Sequence, residues 1–219
     1  MKKIFLQLIS MSALVVTANA QNISVGAQYS LLTGHGANDN HSTLSGATVF
    51  GTFSIKDNMT TGAVIHAYAP KKSNYKSGDF AYKATDDVTN IAISYEISFG
   101  PKGSSVQPFM GVDMGLSTSN HKVEYYNDMN KLIKVNLKQA YVMMSPKAGV
   151  IVALTKTLGV YSQAQYNFSP GNGGTTVIHV QNAKSRTSFT TEPISKYYNI
   201  DTGIYLRIGN IRSIFNNRN

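Results

Sequence analysis

The sequence predicts an all-β fold: a closed, up-and-down antiparallel transmembrane β-barrel of about eight strands, with short turns at one end and long connections at the other. Three observations carry this reading. Apolar and polar residues alternate with period two along much of the chain. Shorter and longer connections also alternate. After the first 20 residues, no segment forms the uninterrupted apolar run of ~18 residues that a spanning helix needs.

The first 20 residues are set apart before any fold argument. Lys2 and Lys3 precede a short apolar stretch from Ile4 to Val16, and Ala18-Asn19-Ala20 places small residues where a signal peptidase reads. A secretory signal peptide is expected, with cleavage at Ala20/Gln21 and export by the Sec route. No Cys occurs anywhere, which excludes a lipid-anchored lipoprotein, disulfides, thiolate catalysis and Cys-ligated metals. The expected organisation is 1–20 signal peptide, 21–209 barrel and 210–219 polar tail.

The formal charge is +9, and removal of Lys2 and Lys3 lowers it to +7. In an exported chain this balance points to anionic surfaces rather than nucleic acid. Only 14% of residues are charged, against ~25% in an average soluble domain. Something other than charge covers much of the surface.

The strands follow in order: 22–32, 44–55, 59–69, 88–99, 106–117, 139–154, 158–168 and 197–209. Successive side chains of a strand point to opposite faces. In the first strand Ile23, Val25, Ala27, Tyr29 and Leu31 oppose Asn22, Ser24, Gly26, Gln28 and Ser30. In the fourth, Ile91, Ile93, Tyr95, Ile97 and Phe99 oppose Asn90, Ala92, Ser94, Glu96 and Ser98. The last opposes Tyr198, Ile200, Thr202, Ile204, Leu206 and Ile208 to Asn199, Asp201, Gly203, Tyr205, Arg207 and Gly209. The third strand is ambiguous, since Ala63/Ile65/Ala67 and Val64/His66/Tyr68 could each face lipid. Lys122–Tyr126 and Thr175–Gln181 are candidate extensions beyond the membrane.

Connections at 56–58, 100–105 and 155–157 are short, and those at 33–43, 70–87, 118–138 and 169–196 are longer. Transmembrane barrels sort their loops this way. Closure follows from chemistry: lipid offers no hydrogen bonds, so an open sheet edge inside it is forbidden. With no Trp, the interfacial aromatics are expected among Tyr29, Tyr95, Phe99, Tyr166, Phe168 and Tyr198.

The segments Gln107-Pro108-Phe109-Met110-Gly111, Asp113-Met114-Gly115, Ser145-Pro146-Lys147-Ala148-Gly149, Leu158-Gly159-Val160-Tyr161 and Tyr166-Asn167-Phe168 resemble the small outer-membrane β-barrel (porin-like, OmpA/OmpX-type eight-stranded) proteins, especially those of Bacteroidota. The resemblance implies a Gram-negative outer membrane, contact with its lipid including lipopolysaccharide, and the barrel insertion machinery as a partner. A surface ligand or protein partner is also expected; a cofactor is not. One departure stands out. Such barrels end on an aromatic residue, whereas here the last strand reads Tyr205-Leu206-Arg207-Ile208-Gly209 before a polar tail. Either Phe215 stands in, or an internal motif suffices.

Candidate site residues come from inward-facing charges. Glu96, Asp113, Lys147, Asp201 and Arg207 fall on lumen faces, and a buried charge without a partner is costly. They are expected to form a network, with Arg207 paired to at least one of the acids, that either plugs the barrel or gates a narrow pore. A second group, Lys71, Lys72, Tyr75, Lys76, Tyr82, Lys83, Lys122, Tyr125 and Tyr126, is expected in extracellular loops as basic and aromatic contacts. Of five histidines only His66 lies in an expected strand, and neither a catalytic triad nor a metal-ligand spacing is recognisable. The function expected is a non-enzymatic envelope barrel with interacting loops. The alternatives are a small-solute porin and, further off, a lipid-modifying enzyme or protease.

Overall fold

The computed structural model describes residues 23–35, 41–56, 58–77, 80–100, 104–126, 131–168, 176–181, 186–191 and 196–208. The expected signal peptide and the tail with Phe215 lie outside these residues. Eleven strands occur among them: β1 (Ile23–His35), β2 (His41–Lys56), β3 (Met59–Tyr68), β4 (Lys71–Ser77), β5 (Phe80–Ser98), β6 (Val106–Tyr126), β7 (Leu132–Ala153), β8 (Leu158–Asn167), β9 (Thr176–Gln181), β10 (Arg186–Thr191) and β11 (Tyr197–Arg207).

Antiparallel pairing runs β3-β2-β1-β11-β8-β7-β6-β5, and β3 also pairs with β5 from Met59↔Ile97 to Ala67↔Thr89. That last ladder joins the two ends into a ring of β1, β2, β3, β5, β6, β7, β8 and β11. Strand β4 resumes along β5 after Ala69-Pro70, where proline cannot donate to a ladder. Strands β9 and β10 form a separate hairpin, so the segment expected to prolong β8 pairs elsewhere.

Strand length divides the ring. Strands β3, β8 and β11 have 10, 10 and 11 residues, close to the ~9–11 of a tilted transmembrane strand. Strands β5, β6 and β7 have 19, 21 and 22. They rise as a wall beyond the others, opposite the end that carries the turns at 56–58, 100–105 and 155–157. Lys122–Tyr126 is such an extension, as expected. The segments 70–87 and 118–138, expected as loops, are instead largely the paired upper parts of β4, β5, β6 and β7. The alternation that makes strands continues past the apolar belt with polar residues outside, so apolar content alone misplaces the strand ends.

The two faces follow the alternation. Ile91, Ile93, Tyr95 and Ile97 are exposed on β5, as are Tyr198, Ile200, Ile204 and Leu206 on β11, while Asn90, Ser94, Glu96, Asn199 and Asp201 are buried. An exposed apolar band with a buried polar interior is what a lipid environment favours. In β3 the ambiguity resolves: Val64, His66 and Tyr68 face the lumen, and Ile65 faces out. Pro146 also faces out. The β7–β8 register stops at Lys147↔Gln165 and resumes at Met144↔Phe168, skipping the two positions at Pro146 and Ser145, where proline has no N–H to give.

Space inside is made by glycine beneath aromatic rings. A methyl group at Gly26 would come within 2.3 Å of the Phe50 ring, and one at Gly159 within 2.3 Å of Tyr205. Phe109, Tyr161 and Tyr205, with Phe50 and Ile151 against them, fill the lumen toward the turn end. Leu32, Leu44, Tyr68, Val88 and Tyr197 form a second apolar layer toward the wall end.

Candidate functional site

Between these apolar layers lies a belt of buried polar groups. Lys147 of β7 is its hub. Its Nζ donates to Glu96 Oε1 at 2.7 Å and to Ser94 Oγ at 2.7 Å, and lies 2.8 Å from Asp113 Oδ1 as an ion pair. Asp113 makes no aligned hydrogen bond, so charge rather than direction holds that contact. Tyr161 donates its hydroxyl hydrogen to Glu96 Oε1 at 2.6 Å.

The belt continues across β8 and β11. Gln163 Nε2 donates to Asp201 Oδ2 at 2.6 Å, and Asn199 Nδ2 lies 2.9 Å and 3.0 Å from the two Asp201 oxygens. Thr48 Oγ1 reaches Asp201 Oδ1 at 3.4 Å, Ser30 Oγ at 2.5 Å and His66 Nδ1 at 2.6 Å. His66 Nε2 then approaches Asp113 Oδ2 at 3.9 Å, within ionic range but beyond a hydrogen bond. Every strand of the ring contributes: Ser30, Thr48, His66, Glu96, Asp113, Lys147, Tyr161 and Asp201 come from β1, β2, β3, β5, β6, β7, β8 and β11 in turn.

Four of the five expected network residues are therefore in one belt, and the fifth is not. Arg207 makes no ion pair with Glu96, Asp113 or Asp201. It pairs with Ser24 near the turn end, six residues along β11 from Asp201, or ~20 Å at the usual strand rise. There it lines a polar cavity of about 210 Å³ with Ser24, Thr52 and Tyr205, and Glu96 and Tyr161 of the belt border the same cavity without an ion pair to Arg207. The expected pairing of Arg207 with one of these acids is therefore corrected: Lys147 is the cation that meets Glu96 and Asp113. Asp201 has no cation within ion-pair distance among the described residues and is held by amide and hydroxyl donors.

His66 is one of the belt residues that sequence reasoning left out, with Thr48, Tyr161 and Gln163. Its inward parity with Val64 and Tyr68 was the available signal, obscured because both faces of β3 look apolar. Thr48, His66 and Asp113 bring a hydroxyl, an imidazole and a carboxylate into line. All three residues are 0% exposed, so no substrate reaches them in this state.

The second group of expected residues is divided by the faces of the wall. Tyr82 and Tyr125 are buried with Ala84 and Val123, which corrects their expected role as outside contacts: they share the inward parity of β5 and β6. Lys71, Lys72, Lys83, Lys122 and Tyr126 are exposed. Tyr75 and Lys76 lie in β4, with side chains outside the described part. His121, expected in a solvated loop, is buried in β6, with Nδ1 2.6 Å from Asp86 Oδ1. Asp86 and His121 stand opposite each other in the β5–β6 ladder.

A closed antiparallel ring, apolar outside and polar inside, defines the class of small transmembrane β-barrels. Among solved structures the chain is similar to the outer membrane protein OprG from Pseudomonas aeruginosa, with a TM-score of 0.59 and 11% identity over 87% of this chain and 97% of that one. It is also similar to Ail, the attachment invasion locus protein of Yersinia pestis, with a TM-score of 0.50 and 8% identity over 85% and 97%. At these identities the likeness shows the fold, that of outer-membrane β-barrels. No protein-family model matches the chain, and no curated protein matches it in sequence.

Proposed function

We propose that this chain is a non-enzymatic outer-membrane barrel whose lumen is sealed to solutes and whose β5–β7 wall stands on the outside as an interaction surface. In this reading the chain enters the envelope after cleavage at Ala20/Gln21, with the turn end in the periplasm. The observation that carries it is the belt. Glu96, Asp113, Lys147 and Asp201 are 5%, 0%, 6% and 0% exposed, and their partners come from all eight strands of the ring. Apolar layers stand on both sides of it.

A permeation path needs its charged groups open to the lumen, and these side chains are buried against one another. Catalysis needs an acid, base or nucleophile that a substrate can touch. Thr48, His66 and Asp113 are enclosed, and Asp86 and His121 are 5% and 7% exposed.

The test is conductance of the folded protein in planar bilayers. Insertion is verified by the heat-dependent gel migration of closed barrels. A sealed lumen gives inserted protein without unitary steps. Discrete steps that scale with the protein added would establish a small-solute porin instead.

A further inference from the structure

We infer that the polar cavity at the turn end of the lumen is a binding site for a small hydroxylated monocarboxylate. Arg207 is its carboxylate anchor, and Glu96 Oε2 accepts from a ligand hydroxyl. The site goes beyond the proposed function. It lies on the turn side of the belt, so a ligand can fill it while the lumen stays sealed.

Two poles border one space. Arg207 of β11 stands opposite Ser24 of β1, which stands opposite Thr52 of β2, so a guanidinium and two hydroxyls share one inward row. The guanidinium has no ion pair or hydrogen bond among the described residues, and neither do the two hydroxyls. At the other pole Glu96 stands opposite Thr60 in the β3–β5 ladder. Ser94, Lys147 and Tyr161 all address Glu96 through Oε1, at 3.2, 2.7 and 2.6 Å. Oε2 has no partner among the described residues, on a residue only 5% exposed. A buried carboxylate oxygen in that state calls for a donor, and the cavity that Glu96 borders is where one arrives.

Size and charge order narrow the ligand. The cavity measures about 210 Å³, and a cavity of ~150 Å³ holds benzene, so a molecule somewhat larger than benzene fits. A second hollow of about 350 Å³ adjoins it at the turns, lined by Ser104, Ser105 and Lys156 and again by Arg207. The order inward is Lys156, Arg207, Glu96: two cations, then an anion. An incoming carboxylate is drawn as far as Arg207, whose planar fork meets both of its oxygens. The carboxylate of Glu96 turns away a second negative charge and accepts from a neutral hydroxyl. That order selects a monoanion over a dicarboxylate, and the hydroxyls of Ser24, Thr52 and Thr60 select it over an alkyl acid.

The test is a titration of the refolded, isotope-labelled protein in detergent micelles with glycerate, read by NMR. Saturable shifts are expected at the Ser24 and Thr52 amides and the Arg207 Nε–H. A hydrogen-bonded charge is worth about tenfold or more in affinity, so Arg207→Gln should weaken glycerate by about that factor, and glycerol, which has no carboxylate, should be weaker to a similar degree. Arg207→Lys keeps the charge and loses the fork, and should fall between. Propionate, which has no hydroxyl, should bind more weakly than glycerate, and Lys72→Gln, in β4 at the opposite end, should bind glycerate as the wild type does. The absence of saturable shifts in the folded wild type overturns the inference. So does equal binding of glycerol or propionate, tighter binding of malate, or undiminished affinity in Arg207→Gln. None of these results touches the sealed barrel, which the conductance measurement decides separately.

Discussion

Among the described residues the chain buries ionisable side chains in two settings, and they are built differently. In the lumen, Lys147 meets Glu96 and Asp113, which lie on two other strands, and the surrounding donors come from the rest of the ring. In the wall, Asp86 and His121 face each other across one ladder, 2.6 Å apart. The wall pair needs only a correctly registered β5–β6 hairpin. The belt needs the ring closed, because Thr48, His66 and Asp201 reach it from strands on the far side of the chain. The difference separates a contact that reports local pairing from one that reports closure.

The largest effect is therefore expected at Lys147. Lys147→Met keeps the volume but leaves Glu96 and Asp113 buried without a cation. Breaking a buried pair from one side costs about 3–5 kcal/mol, and the loss should appear as a lower urea midpoint for the barrel as a whole. Arg207→Ala should change the stability by no more than ~0.5 kcal/mol, as at a site without an ion-pair partner. Equal losses for the two variants would return Arg207 to the belt.

An intermediate effect is expected in the wall. His121→Ala leaves the Asp86 carboxylate without its hydrogen-bond partner, at a cost of about 1–3 kcal/mol. Because the pair is local, amide exchange should accelerate in 82–88 and 119–125 and stay slow around Glu96 and Asp201. Acceleration throughout the ring would show that the wall is coupled to closure.

The smallest effect is expected at the exposed edge of the same wall. The hydrogen bond from Lys134, reinforced by its charge, holds the Glu124 carboxyl below the usual carboxylate range. A lowered folded pKa stabilises above the unfolded value of ~4.3 and loses that contribution as pH falls through the folded value. Glu124→Gln should thus leave the unfolding midpoint at neutral pH almost unchanged, since exposed pairs are screened. A titration of the Glu124 carboxyl by NMR should show the lowered pKa relaxing toward the ordinary range in Lys134→Gln.

The contrast between belt and wall also marks how far the sequence could be read. Period-two alternation is local, so it assigned Ile93, Ile204, Ser94 and Asp201 to their faces without any knowledge of partners. It also placed Glu96, Asp113, Lys147 and Arg207 on inner faces. It did not reveal height. Closing a sheared ring sets which inward residues are level with one another, and that offset is a property of all the ladders together. Hence the sequence pointed to Arg207 as the partner of the acids, and only the ring showed that Lys147 is level with them.

Loop length was legible at the turn end, where 56–58 and 155–157 are bounded by strong alternation. It was misleading at the wall end, because strands above the lipid carry lysine and threonine outside where apolar residues would have marked them. The sequence by itself determined the strand-rich fold, the faces, and the sorting of short turns from long connections, since each depends on neighbours along the chain. The tertiary structure decided that His66 is inside, that Lys147 holds two acids while Asp201 relies on amides, and that Tyr82 and Tyr125 are buried. Each of those outcomes depends on which strand lies across the lumen or alongside, and that is fixed only when the first strands meet the last.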